Sequence, residues 1–566
     1  MNEKIKIGYG SIRNVVILSL LPSVGAALSQ GSTIYIYPSE NIQTVVNANA
    51  AGTTYEITAG VYRLQSVTPK AGDSYIGQTG AILNGSKLAT SFSQQTVNGV
   101  TYWVTAGPTQ HGSVIGECDS THPMCAYPED FFVNNQVLQR VASLSGVTSS
   151  TCYFDYSAGK IYFLMNPSGK TVEIGITPTA FSASVSNVTI KGLTIQKYAV
   201  PAQSGAVYAG TSWTIFSNAV SFNHGAGIHM TSNDVIESNY VHDNGQEGIS
   251  GGGNQILVQN NEVAYNNTAG YSLSFEAGGV WFSNSTNPVA QGNYVHDNKG
   301  IGVHLDHQTY NWLVQGNRTQ GNWSAGIDNE IGYDGTARYN VVQSNGTYPG
   351  KTNPSMWYGC GIYVYASQNT TIYGNTLLNN TNGICGISLS RGNGNRGAFE
   401  VRNLSVHDNV IVQSSGSATG AVANSGYYTG VYSSSWNNHW ASNTYKLPSA
   451  NADSYVWRGG SSYVNMDASS WQGFGNDLNG TWISSTDSSF PSNAFTANEA
   501  VQTTTTTQVW SLPTTTSTLV KTEGSGTDGT VTQVAGPIFT NSAWWWNVKF
   551  ADGTVGWCQE SKLQTN

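Results

Sequence analysis

Charged residues form only 10% of this 566-residue chain, against about 25% in ordinary globular domains. Lysine and arginine total 23 and the net charge is −9. A surface so poor in cations cannot neutralise a run of phosphates, which argues against nucleic acid as a partner. It argues less strongly against polyanionic sugars, which a negative protein would repel. Long apolar runs are missing as well. The longest, Val15 to Leu21, is short for a membrane span, so no membrane-embedded segment is expected. No stretch carries apolar residues at the 3.6-residue helical period, which disfavours leucine-rich, ankyrin and other helix-containing repeats. The six cysteines show no zinc spacing. Cys118 and Cys125 could close a small loop; Cys152, Cys360, Cys385 and Cys558 have no evident partners.

What is abundant is asparagine, in a pattern. Seven pairs sit five residues apart: Asn218/Asn223, Asn239/Asn244, Asn261/Asn266, Asn293/Asn298, Asn317/Asn322, Asn340/Asn345 and Asn375/Asn380. An eighth copy at Asn409 carries Ser414 in the second place. A repeat of roughly 20–30 residues with insertions implies stacked units that cannot bury a core alone. Short β-type runs lie between the paired asparagines, and a Gly-plus-aliphatic start follows, as in Gly227-Ile228, Gly302-Val303 and Gly326-Ile327. The expected fold is therefore all-β, a right-handed parallel β-helix whose coils stack at ~4.8 Å. The asparagines are read as scaffold, each amide bonding the one above and below.

The segmentation follows. Lys4, Lys6 and Arg13 precede the apolar run, then come Gly25-Ala26-Ala27 and Ser29, so residues 1–29 read as a secretory signal and the chain as secreted, extracellular or periplasmic. Residues 30–97 form a cap and first coils, with a short helix near Asn41 to Ala50. Residues 98–175 break the period and read as an inserted β subdomain. The β-helix occupies 176–482, a Ser/Thr/Asn-rich linker 483–503. Residues 504–566, with Trp544-Trp-Trp-Asn-Val-Lys-Phe550 and the Asp552-Gly553 turn, resemble a bacterial SH3-like β-barrel. That resemblance implies an appendage that binds cell wall or glycan. Strand alternation leaves at least one of Trp544, Trp545 and Trp546 outside the barrel, to stack on sugar or pack on the β-helix.

Aligning each coil on its Gly turns sequence into surface. The first and third following positions are mostly aliphatic and point inward. The second position reads His229, Ser250, Trp281, His304, Asp328, Tyr363; the fourth reads Thr231, Gly252, Ser283, Asp306, Glu330, Tyr365. Both columns face out. Three carboxylates on two adjacent coils are a sharp concentration in so uncharged a chain, and Glu276 enters from the loop before Gly279. Neighbouring carboxyls push one pKa up and leave the other ionised, the division of labour of a glycosidase. Asp306, Glu330, Asp328 and Glu276 are the catalytic candidates; His304, Trp281, His229, Tyr363, Tyr365 and His307 are candidates for holding sugar. A loop carrying Trp357 and Tyr358 could cover these aromatics. The alternatives for the acids are solvated surface groups or a calcium site; no cofactor is required and no other metal is expected.

Glu276-Ala-Gly-Gly279, Gly302-Val-His-Leu-Asp306, Gly326-Ile-Asp-Asn-Glu-Ile-Gly-Tyr-Asp334 and Trp471-Gln-Gly-Phe-Gly-Asn-Asp477 resemble bacterial secreted β-helix proteins grouped around glycoside hydrolase family 141. The resemblance implies fucosidase- or xylanase-type activity and puts Asp306, Glu330 and Glu276 at its acidic positions. Asn329 and Asp328 depart from the family's histidine and aromatic residue. The expected function is a secreted glycoside hydrolase acting on a plant or cell-wall polysaccharide. Two rivals stand beside it: a polysaccharide lyase or epimerase, disfavoured by the lack of Lys or Arg in both columns, and a non-catalytic glycan-binding adhesin.

Overall fold

The structure, a computed structural model, describes residues 33–349, 359–423, 427–449, 452–457 and 464–566. The expected signal segment and the Trp357–Tyr358 stretch lie outside the described residues. Three long sheets dominate, two of thirteen strands and one of twelve, and each strand pairs with its counterparts one coil away. The pairing is parallel along all three, as at Ile236↔Val258, Val241↔Val263 and Ile249↔Val280. Only the last pair of the twelve-stranded sheet, Tyr455–Trp457 with Val464–Met466, runs antiparallel. This is a parallel β-helix.

The twelve-stranded sheet carries the carboxylates on its outer face. Its central strands are β1 (Glu247–Gly251), β2 (Gly278–Ser283), β3 (Ile301–Asp306), β4 (Ile327–Glu330), β5 (Cys360–Tyr365) and β6 (Asn382–Ser388). Ile249, Val280, Val303, Ile327, Ile362 and Ile384 stack in register and are at most 2% exposed. Each such burial contributes roughly 1.5–3 kcal/mol. The Gly that opens each coil is sterically required. A Cβ on Gly302 would lie 2.4 Å from the Gly326 carbonyl oxygen and 2.9 Å from Asn322 Nδ2.

Those asparagines form two internal ladders. In the first, each Nδ2 donates to the next Oδ1 from Asn218 through Asn443, at 2.9–3.0 Å. The second runs from Asn223 to Asn380 with the same spacing. Each ladder amide also satisfies backbone: Asn298 Nδ2 donates to Val263 O, and its Oδ1 accepts the Asn266 N–H. Buried amides thereby meet their full hydrogen-bonding capacity. The first ladder ends on Asp477, an acceptor with nothing left to donate, which takes bonds from Asn443, Tyr445 and Trp471.

Both ends of the coil are closed. A short helix α1 (Ile42–Ala48), N-capped by the Asn41 side chain, presses Ile42 and Val46 onto the first coil. At the other end Trp440, Trp457 and Trp471 pack edge to face beside Tyr455.

Two appendages flank this body. A mixed eight-stranded sheet begins at Ser86–Leu88, ahead of the boundary expected at 98, and ends at Val172–Gly175. The expected boundary counted Ser86–Leu88 and Ser93–Val97 with the cap and first coils, but their partners lie in the insert. The C-terminal antiparallel sheet likewise starts earlier than 504, with Ala500–Thr503, and Phe495 joins its core. Its tryptophans divide. Trp546 fills the core of the unit, while Trp545, fully buried, packs with Ile538 and Trp557 against Val341 of the β-helix. Trp544 is half-buried against Phe490 and Phe539, so none of the three stands free in solvent. Cys118–Cys125 is disulfide-bonded; Cys360 and Cys385, unpaired in the sequence reading, join β5 to β6. No helix among the described residues is long and apolar enough to cross a membrane.

Candidate active site

Parallel register sets the outer face. His304 lies between Trp281 and Asp328, and Asp328 between His304 and Tyr363, on successive strands β2 to β5. In the second column Asp306 stands opposite Ser283, and Glu330 opposite Tyr365. At the end of β3 the chain turns through His307 and Gln308 at φ +48° and +65°. This left-handed turn folds His307 back, so that its N–H donates to Asp306 Oδ1 at 2.6 Å and its Nδ1 lies 2.8 Å from Oδ2.

Two triads share Asp306. Ligand-capable atoms of Glu276, Asp306 and His307 lie within 4.8 Å of one another, and so do those of His304, Asp306 and Glu330. Glu276 adopts φ +36° in its loop, a left-handed conformation costly for a glutamate and held by its surroundings. Gln203 Nε2 donates to its carboxylate at 3.0 Å, and Gln246 Nε2 donates to its carbonyl at 2.8 Å. The insert braces this loop, with Cys118 bridged to Tyr271 and His224 Nε2 2.6 Å from the Cys125 carbonyl.

The environments push the acids apart. Burial raises the pKa of Glu276, and the nearby Asp306 charge raises it further. Burial would raise Asp306 too, but the His307 bonds and the charges of His304 and His307 prevail and hold it below the usual carboxylate range. Glu330 is also lowered against its burial, by His304 and Arg391. Asp328 moves the other way, raised well above normal by burial, with Oδ1 lacking a hydrogen bond among the described residues. Burial alone would discharge His304, yet the acids around it raise its pKa to about 10. Its Nε2 lies 3.5 Å from Glu330 Oε2, a charge contact without hydrogen-bond geometry. His304 is thus an internal cation that keeps Asp306 and Glu330 ionised.

Sequence reasoning missed three contributors. Glu247 is 1% exposed, neither carboxylate oxygen has a hydrogen-bond partner among the described residues, and burial raises its pKa well above normal beside Glu276. It directly precedes Gly248, and columns numbered forward from each Gly pass over it. Arg391, from the segment after β6, pairs with Glu330 and lies 5.2 Å above the Tyr365 ring. Gln246 was visible only as a polar residue between coils. Conversely, His229 does not join the cluster. It stacks on Tyr208 at 4.2 Å, three register steps before His304, with its pKa lowered to about 4 by burial. Trp281 does reach it, edge-on to His307 at 6.3 Å, and Tyr363 and Tyr365 close the far side with rings 5.4 Å apart.

The triads could also hold a cation. Their donors mix carboxylate oxygen with imidazole nitrogen, whereas calcium takes about six to eight oxygens. A positively charged His304 would oppose a cation beside it, so these donors fit calcium poorly.

A family model described as a right-handed beta helix region matches residues 179–330 and 274–444. Among solved structures, the complex of XylC with xylose aligns with a TM-score of 0.58 at 14% identity, over 73% of this chain and 84% of that one. The chain is a right-handed parallel β-helix protein. The A-module of the mannuronan C-5 epimerase AlgE4 of Azotobacter vinelandii aligns at TM-score 0.38 and 16% identity, over 67% of this chain and 92% of that one. That looser likeness adds nothing to the argument. No curated protein matches the chain in sequence.

Proposed function

We propose that this β-helix protein is a retaining glycoside hydrolase acting on a largely neutral plant or cell-wall polysaccharide. The observation that carries the reading is Asp306, shared by both triads and lowered in pKa, with an oxygen of Glu276, whose pKa burial and the Asp306 charge raise, within 4.8 Å. That separation compares with the ~5–5.5 Å between carboxyls of retaining enzymes, and is shorter than inversion needs. Glu276 donates its proton to the glycosidic oxygen as the C–O bond breaks. Asp306 attacks the anomeric carbon and forms a glycosyl ester. Glu276, now ionised, takes a proton from the water that cleaves the ester and restores both groups. Glu330, engaged by Arg391 and His304, is assigned to substrate hydroxyls rather than proton transfer, and Trp281, Tyr363 and Tyr365 to the sugar rings. The resemblance to glycoside hydrolase family 141 supports this reading, as does a scaffold like that on which XylC was captured with xylose. The two disulfides support a location outside the cytoplasm. A glycan-binding role for the SH3-like unit would fall to its half-buried Trp544.

Arg391 favours one rival, β-elimination at a uronate, because it supplies a cation that the strand columns lack. A panel of polysaccharides and aryl glycosides decides between them, run on wild type, Asp306→Asn and Glu276→Gln, with folding checked by circular dichroism. Reducing ends without ultraviolet-absorbing unsaturated product, lost in both variants, support hydrolysis. Unsaturated product would establish a lyase; full activity in both variants would move the chemistry elsewhere. Inactivation by EDTA with rescue by calcium would replace the metal-free scheme.

A further inference from the structure

A cleft apart from the carboxylates lies among the described residues. It measures about 350 Å³ and lies where the insert meets the first coils, lined by Arg63, Glu173, Lys197, Asn134, Asn135 and Gln196 among others. Its floor is a built charge network. Lys197 and Glu173 are 1% and 2% exposed and paired, and Arg63 Nη1 donates to the same Glu173 carboxylate at 2.8 Å. Two cations therefore share one anion, leaving a surplus positive charge in a chain whose net charge is −9.

The remaining polar atoms point to the same sign of ligand. Asn134 Oδ1 accepts the Thr171 N–H at 2.9 Å, and Asn135 Oδ1 accepts from Lys197. Their acceptors are thus occupied, while neither Nδ2 has a hydrogen bond among the described residues. Among the described residues the side-chain hydrogen bonds of Arg63 all leave from Nη1, so Nη2 and Nε keep their donors free there. The Gln196 side-chain amide and the Thr171 hydroxyl make none either, and can exchange bonds with hydroxyl groups. Donors and charge suit a carboxylate, and the neutral rim suits the hydroxyls of a ring.

We propose that this cleft binds a carboxylate-bearing sugar, a uronic acid unit, at a second site separate from the carboxylate groove. The coil strands at the cleft, Gly60–Arg63, Ala81–Asn84 and Thr194–Gln196, belong to a different sheet from β1–β6, so the site stands whether or not the hydrolase reading does. Arg63 is the residue to test, because its side chain is 28% exposed and its loss leaves the Lys197–Glu173 pair intact.

The experiment is calorimetric titration of the full chain with glucuronate and galacturonate, beside glucose and inorganic phosphate. Saturable binding of a uronate is expected, weakening with salt, reduced about tenfold or more by Arg63→Gln and unchanged by Asp306→Asn. Equal binding of glucose, equal binding of phosphate, or no heat with either uronate would overturn the assignment. Should Arg63→Gln fail to fold, Gln196→Ala on the rim must weaken uronate binding while leaving the melting temperature alone; unchanged affinity there refutes the site.

Discussion

Replacing Asn298 by alanine removes one rung of the second ladder, three residues before β3 begins. In the wild type its Oδ1 accepts from the Asn266 N–H at 3.1 Å and Asn266 Nδ2 at 2.9 Å. Its Nδ2 donates to Val263 O and Asn322 Oδ1, both at 3.0 Å. Alanine strands two buried donors, at about 1–3 kcal/mol each, so the variant should lose roughly 2–6 kcal/mol. That is a large fraction of ordinary stability. Asn298→Asp tests the direction of the bonds. A carboxylate still accepts from Asn266 but turns a buried charge on the Val263 and Asn322 oxygens, which have nothing to offer it. Its folded pKa would be raised, so the added loss is absent below the unfolded value of ~3.9 and grows as pH rises through it towards the folded value. The assay is denaturant unfolding followed by tryptophan fluorescence at pH 3.5 and 7. A loss below about 0.5 kcal/mol for both variants at pH 7 would refute the ladder as a stabilising element, since that is the scale of ordinary surface changes.

Further predictions rest on separate observations. Because Asp306 is lowered and Glu276 raised, kcat/KM should be bell-shaped, failing at low pH as Asp306 protonates and at high pH as Glu276 ionises. Glu276→Gln should abolish the alkaline limb and cut kcat by about 10²–10⁴-fold; an unchanged limb would assign it to another group. Arg391→Met removes one of the charges that lower Glu330, so the Glu330 titration followed by NMR should move up, and a fixed value would show that His304 alone sets it. Serine at both Cys360 and Cys385 opens a link 25 residues apart in sequence and should cost about 3 kcal/mol, read as a lower denaturant midpoint. Trp545→Ala empties the contact with Val341 at about 3–5 kcal/mol; faster proteolysis between the two units would show it, and wild-type resistance would contradict it.

The coil architecture was legible because stacking converts a sequence period directly into register. Gly302 must be small and Asn298 must bond both neighbours, so each leaves a mark that recurs at every coil. The insert lacked such a mark, so its first strands were counted with the cap and first coils. The groove was half legible for the same reason. Parity placed His304, Asp306, Asp328 and Glu330 outside, and the register brings them together. Parity says nothing of depth, however. Solvated surface groups were the alternative for these acids, yet Asp306 and Asp328 are 3% and 4% exposed, and Glu276 and Arg391 reach the cluster from outside the strands. Those segments come from irregular insertions between coils, where no period constrains the sequence. Arg391 from one of them adds to the lowering of Glu330 that His304 leads, while burial raises Asp328. The repeat therefore determines which residues can meet, and its own His304 together with the non-repeating segments biases which of them holds a proton.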